Sequence, residues 1–365
     1  MSTITIRTIF LIFTGLFLLA VDGNAQQGYF RDTAIKDGQD FNFHIFSHGH
    51  EDRVSTRINR LIQLEELYSL AKPPYSSRMF GQSKANDGSI YGGKTSIEAK
   101  VYSNNGRVLS MGFIESSSGA TTHYWHKYYT FNSGNGDRIE LRDLFTRDGY
   151  ESFFKFVLNV RFSKYRREVR KKIEPQFQES FLETSGCFKN DNLRDFYVRK
   201  GTIIIDGDSC LSKNQKFDGL KMEVTIGSKS FKKYLNAYGR VVFGFSSSDI
   251  SKFRSRELPQ LFEGAVNGVH KFVMVLNPDW GDDYWGMYAY LKYGEGIALR
   301  GSISKNELKL TEYMLSPTTV DGPLGEIRKT QEMGTVSGRL TAQTFEGIWS
   351  DKEKAKQLPF YASVR

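Results

Sequence analysis

The chain has 365 residues, with 50 Lys and Arg against 41 Asp and Glu for a formal charge of +9, and only two cysteines. That length is enough for two domains with their own cores. The basic excess favours an anionic surface such as a wall polymer, lipopolysaccharide or an acidic protein; without a zinc-finger, P-loop or recognition-helix pattern it does not indicate nucleic acid.

Residues 1–25 read as a secretory signal peptide: one early cation at Arg7, an apolar run from Ile9 to Val21, and small residues Gly23 and Ala25 at the cut. The run is short for a bilayer span and no second one follows, so the mature chain of about 340 residues is expected without a transmembrane segment, in a periplasm or secreted. Its charge stays at +9, because Arg7 and Asp22 leave together. In that compartment Cys187 and Cys210, 23 positions apart, are expected to form a disulfide.

Residues 26–40 are polar and read as a loose lead-in, and Phe41 to Phe46 alternates as a first strand. Val54, Ile58, Leu61, Ile62, Leu64 and Leu67 then return at helical spacing. They predict one buried stripe, with Arg53, Arg57 and Arg60 on the solvated side and Pro73-Pro74 as the stop. His44, His48 and His50 straddle a strand and a turn with no carboxylate fixed opposite them, so they read as surface histidines and no metal site is assigned.

Thr95–Tyr102 and Val108–Ser116 flank Asn104-Asn105-Gly106, a tight hairpin signal. The next strand carries Tyr124, His126 and Tyr128 on one side and Trp125, Lys127 and Tyr129 on the other. Tyr150–Glu174 predicts a second helix whose C-terminal half is crowded with cations, among them Arg166, Arg167 and Arg170. Cations suit a helix C-terminus, yet this density exceeds what capping needs. Phe196–Val198 and Thr202–Ile205 form another hairpin, Leu220–Ile226 a strand, and Arg240–Phe245 a last extended piece of a domain spanning 41–245.

Three serines before Pro259 place a linker at 246–262. Beyond it, 263–365 carries seven short alternating strands from Lys271 to Val364, the pattern of an all-β meander or small barrel. There Glu312 reads as a rim carboxylate. The expected fold class is thus α+β, with helices packed on a mostly antiparallel sheet, followed by that β domain.

No reaction is legible. Glu98, Glu115, Glu140 and Asp143 are candidate acids without a spacing that forces a facing pair, and His123 and His126 near Ser116–Ser118 lack a nucleophile elbow. No catalytic residue and no cofactor are assigned, and the reading is against an enzyme.

Ser118-Gly119-Ala120, Tyr128-Tyr129-Thr130-Phe131 and Gly136-Asp137-Arg138-Ile139-Glu140-Leu141-Arg142-Asp143-Leu144-Phe145 resemble the signature of an extracellular bacterial domain, the DUF3298-like domain, over about Phe41–Phe245. That domain occurs in a lysozyme-sensing anti-sigma factor and beside the catalytic domain of certain peptidoglycan deacetylases. The resemblance implies an α/β fold used for recognition or as an accessory, with no catalytic set to transfer; the chain departs from it at Thr121-Thr122, at the two cysteines and in the insert Asp206–Gly219. The expected function is an exported, non-catalytic binding protein for an envelope protein or anionic glycan. Its candidate contacts are Tyr124, His126 and Tyr128 on the hairpin and Arg166, Arg167 and Arg170 on the helix. The alternatives are a peptidoglycan hydrolase or deacetylase with non-standard residues, and a small-ligand carrier using the C-terminal barrel.

Overall fold

The structure, a computed structural model, describes residues 28–364 except 50–51, 82–83, 85–88, 91–92, 119–121, 184–192, 208–210, 212–218, 280, 306, 316–319, 322–325, 328–330 and 342. The signal peptide therefore lies outside the described residues. Five strands, β1 (Arg31–Asp37), β2 (Phe41–Ser47), β3 (Ser96–Asn104), β4 (Val108–Ser117) and β5 (His123–Asn132), form one sheet in that order, antiparallel except for a short parallel β2–β3 pairing. Strand β1 falls inside the expected lead-in: it is an exposed edge pairing with β2, and its alternation carries too few apolar residues to announce a strand.

Helix α1 (Arg53–Leu67) lies on one face of this sheet. Asp52 caps its start, the side chain accepting from Val54 N at 2.8 Å, and Tyr68 ends it with a left-handed backbone. Its apolar stripe meets Phe43, Leu109, Met111 and Phe113 of the sheet, as the spacing predicted. The expectation that its arginines are solvated fails for Arg57, which is buried under the turn at Gly136-Asp137 and lies 3.4 Å from Asp137, while a second body packs against the same helix.

That body is a closed barrel of eight antiparallel strands: β9 (Gln260–Val266), β10 (His270–Pro278), β11 (Asp283–Tyr290), β12 (Gly296–Ser304), β13 (Glu307–Met314), β16 (Glu332–Leu340), β17 (Thr344–Asp351) and β18 (Gln357–Ser363). A small hairpin, β14 (Val320–Asp321) and β15 (Glu326–Ile327), interrupts the meander. The sequence missed β9, which starts inside the expected linker directly after Pro259. Gly338 and Gly347 face each other across β16 and β17, where a Cβ on either would collide with the opposite backbone, so this wall closes tightly.

Inside the barrel Phe272, Met274, Tyr288, Leu310 and Phe360 pack side by side in one buried cluster, as side chains do at the centre of an eight-stranded barrel. Glu312 is not at the rim: it is 2% exposed and accepts from Tyr288 Oη at 2.6 Å and Trp349 Nε1 at 2.8 Å. Burial raises its carboxyl above the usual range, against those two donors. The outer barrel residues Leu261, Val273, Val275 and Met287 share one core with α1 and the five-stranded sheet.

The other face of the sheet is covered by β6 (Phe196–Arg199), β7 (Thr202–Ile205) and β8 (Val224–Ile226), where Val198 N donates to Ser110 Oγ at 3.0 Å. A short helix α2 (Arg78–Gly81) closes the first core; the long α3 (Arg147–Lys172) carries α4 (Gln178–Glu183) in a small cluster of its own and, with α5 (Ser228–Phe231) and α6 (Ala237–Val242), completes the second core. Helix α6 replaces the expected extended piece after Arg240: Asn236 caps it by accepting from Gly239 N at 2.9 Å. The expected disulfide is corrected: the structure shows none among the described residues, and Cys187 and Cys210 both lie outside them. Near them the chain is held by apolar packing of Tyr165 and Val169 against Leu211, Leu220 and Met222.

Because Ile62 is fully buried in the shared core, Ile62→Ala is expected to lower the unfolding free energy by about 2–5 kcal/mol. Urea unfolding checks it, and a loss below about 0.5 kcal/mol would place the residue at an ordinary surface.

Candidate functional site

Alternation along β5 puts Tyr124, His126 and Tyr128 on one face, as the sequence indicated, but most of that face is covered. Tyr124 is 63% exposed and Tyr128 only 8%. Tyr128 stacks on Tyr197 at 5.0 Å, and Tyr197 on Tyr102 at 3.9 Å; Gly112 makes room, since a Cβ there would meet both the Tyr128 and Tyr102 rings. Asp206, at the end of β7, gathers the pair: His126 Nδ1 lies 2.9 Å and Tyr128 Oη 2.8 Å from its Oδ2. Burial and then the Asp206 charge raise the Tyr128 phenol far above its ordinary range. The pair braces the two sheets, and Tyr124 alone of the three stands well exposed.

The opposite face of β5 points to α1 and holds a cluster of buried charges. Glu66 accepts from Tyr129 Oη and Lys94 Nζ, the latter at 2.7 Å, with Lys127 Nζ 3.4 Å away. Lys94 Nζ also lies 2.5 Å from Glu115, which accepts from Trp125 Nε1. Burial opposes ionisation of Glu66, but Lys127 and Lys94 outweigh it and hold the carboxyl below its usual range. Glu115 moves the other way, raised by burial and by the neighbouring Glu66 charge. Glu66, Glu115 and Lys94 are almost inaccessible, so this cluster meets the requirements of a buried ionic joint and not of a cleft.

Arg166, Arg167 and Arg170 are exposed on the C-terminal half of α3, where with Ser163 and Lys171 they line an open depression of about 510 Å³. No acid and no residue of β5 lines it, so the structure does not join the two sets of sequence-derived contacts. Phe156 of this helix is exposed, whereas Phe153, Val157, Tyr165 and Val169 are buried.

The stretch 136–145 acts as a clasp. Asp137 lies 3.4 Å from Arg57 and 3.5 Å from Arg254, and Arg138 exchanges two hydrogen bonds with the Gln260 side chain. Asp143 accepts from Ser255 Oγ and from Arg256 N at 3.1 Å, and Asn132 Nδ2 donates to Ile250 and Phe253 carbonyls. The segment 246–262 is thereby fastened, not loose. Glu140 and Asp143 share a reciprocal helix cap, Asp143 accepting from Glu140 N at 3.0 Å, and Arg138 Nε lies 3.0 Å from Glu140.

Glu140 also lines a cavity of about 400 Å³ between the helical half and one end of the barrel, with Arg142, Arg194 and Arg256 among its other walls. Sequence reasoning named Glu140 and Asp143 as acids but missed these arginines, because eight separated stretches of chain build the walls. Of the remaining candidates, Glu98 is exposed on β3, and Ser116 Oγ lies 2.6 Å from Ser96 Oγ with no histidine bonded to it. His44 Nδ1 lies 2.8 Å from Asp32, His48 Nδ1 2.7 Å from the Tyr29 carbonyl, and His50 falls outside the described residues. Among the described residues no three His, Cys, Asp or Glu side chains are grouped to hold a metal ion.

No family model matches the chain, and no curated protein matches it. Among solved structures there is a distant likeness. A DUF3298-family member from Bacteroides fragilis is 14% identical, with a TM-score of 0.41, covering 61% of this chain and 99% of its own.

Burial raises Glu140 to about 7 from an ordinary 4.5, against Arg138, and raises Asp143 to about 6 from 3.8, against its hydrogen bonds. The folded chain thus binds protons that the unfolded chain has released, and stability falls as pH rises from the ordinary carboxyl range through these raised values. The urea midpoint is expected to be lower at pH 8 than at pH 5, with a smaller difference in Glu140→Gln. An equal difference in both proteins would refute the assignment.

Proposed function

We propose that the protein is exported to the cell envelope and works there without catalysis, as a binding protein for an anionic glycan held by the basic face of α3. The observation that carries this reading is the set of exposed side chains Arg166, Arg167, Arg170 and Lys171 around one open depression, on a chain whose net charge is +9. Guanidinium groups suit such a partner because each offers a planar fork of donors to phosphate, sulfate or carboxylate. The hydrophobic start of the chain supports export. Among the described residues no helix is long and apolar enough to cross a membrane.

The disposition of the carboxylates favours holding over bond cleavage. Glu66 and Glu115 are sealed with their lysines, Glu312 is enclosed in the barrel, and Glu140 is engaged with Arg138 and the Asp143 cap. None of these forms an open facing pair across a groove, as glycan hydrolysis by two acids requires.

The triple variant Arg166→Glu, Arg167→Glu, Arg170→Glu is expected to weaken binding to dextran sulfate and to purified lipopolysaccharide by at least roughly tenfold at low salt, and wild-type binding to weaken as salt is added. Neutral dextran is expected not to bind either protein. Equal affinities of the folded triple variant and the wild type would remove α3 from the account.

A further inference from the structure

The two halves meet at one end of the barrel and leave a space that neither core fills. Its floor is made by Leu258, Tyr284, Ile303 and Leu340, the partly buried side chains that top the barrel core where β10 and β12 end and β11 begins. Its far wall includes Leu141, Leu193 and Tyr150, from the core of the helical half. Arg142, Arg194 and Arg256 are exposed where they border this space. The volume of about 400 Å³ lies in the size range of small-molecule sites.

We propose that this junction cavity binds a small amphipathic anion, its apolar body seated on Leu258, Tyr284, Ile303 and Leu340 and its carboxylate, sulfate or phosphate held by Arg142, Arg194 and Arg256. Three features of the walls support that occupant. The filled barrel below leaves its apolar top as the surface on which a ring or short chain can rest. Three guanidinium groups face two acids, of which Glu140 is already engaged with Arg138, so the local field favours an anion.

The third feature is preorganisation. Arg142 stacks over the Tyr150 ring at 5.1 Å, Arg194 donates across the junction to the Pro278 carbonyl at 3.4 Å, and the Arg256 backbone is bonded to Asp143. A site whose walls are already fixed loses little ordering entropy on binding. This cavity is distinct from the basic face of α3, with which it shares no lining residue.

The test uses the full chain with two fluorescent probes of one shape, the anionic 8-anilinonaphthalene-1-sulfonate and the neutral N-phenyl-1-naphthylamine. Saturable binding of both is expected, tighter for the anion. Leu340→Trp, which fills the cavity, is expected to weaken both at least roughly tenfold, and Ile303→Phe does the same should the first variant not fold. The double variant Arg142→Gln, Arg256→Gln is expected to weaken the anion by about tenfold and leave the neutral probe within about twofold, as loss of charged hydrogen bonds alone would. The α3 triple variant is expected to bind both probes normally. Absent binding at millimolar probe, binding indifferent to the folded cavity-filling variants, or equal losses of both probes in the arginine variant would each overturn the proposal.

Discussion

Everything in this architecture depends on enclosing α1 from every side. A helix with Arg57, Asn59, Gln63, Glu65 and Glu66 among its buried residues cannot pack as a simple amphipathic stripe. Several of these groups are met where they land: Asn59 by the backbone of Phe46, the Gln63 side-chain oxygen by Ala71 N, Glu65 by Asn277, and Glu66 by Lys94, Lys127 and Tyr129. A buried carboxylate is tolerable only with such partners, and stripping one of them away leaves an uncompensated charge. These contacts therefore fix the register of α1 against the sheet and against the barrel together.

The chain between the halves follows from the same constraint. With Arg60 bonded to Glu263 and Leu70 N to Gly294 O, the barrel is held against α1, and the stretch 246–262 must run close beside the turn at 132–143. Asn132, Asp137, Arg138 and Asp143 fasten it there. Residues that looked like a signature with a functional message prove to hold two cores in place. Among the surfaces that this packing leaves accessible are the cationic face of α3 and the space at the junction.

Much of the fold was legible because it is written in local periodicity. The α1 stripe, the Asn-Asn-Gly hairpin and the alternating C-terminal strands each follow from neighbouring residues, and the barrel top to bottom repeats one pattern. Long-range partners were not legible. Arg57 looked solvated because Asp137 lies far along the chain, and the aromatic face of β5 looked open because its cover, Tyr197 and Asp206, comes many residues later. Strand β1 and helix α6 failed for a local reason: one is a polar edge, and the other is a single capped stretch rich in β-branched and aromatic residues. The junction cavity has no sequence signal, since its walls come from residues as far apart along the chain as Glu140 and Thr341.

The central claim is that the sheet, α1 and the barrel share one core and so form a single cooperative body. Scanning calorimetry of the full chain tests it most directly. One transition whose calorimetric and van't Hoff enthalpies agree is the result this account predicts; two resolved transitions, with the barrel melting apart from the helical half, would contradict it.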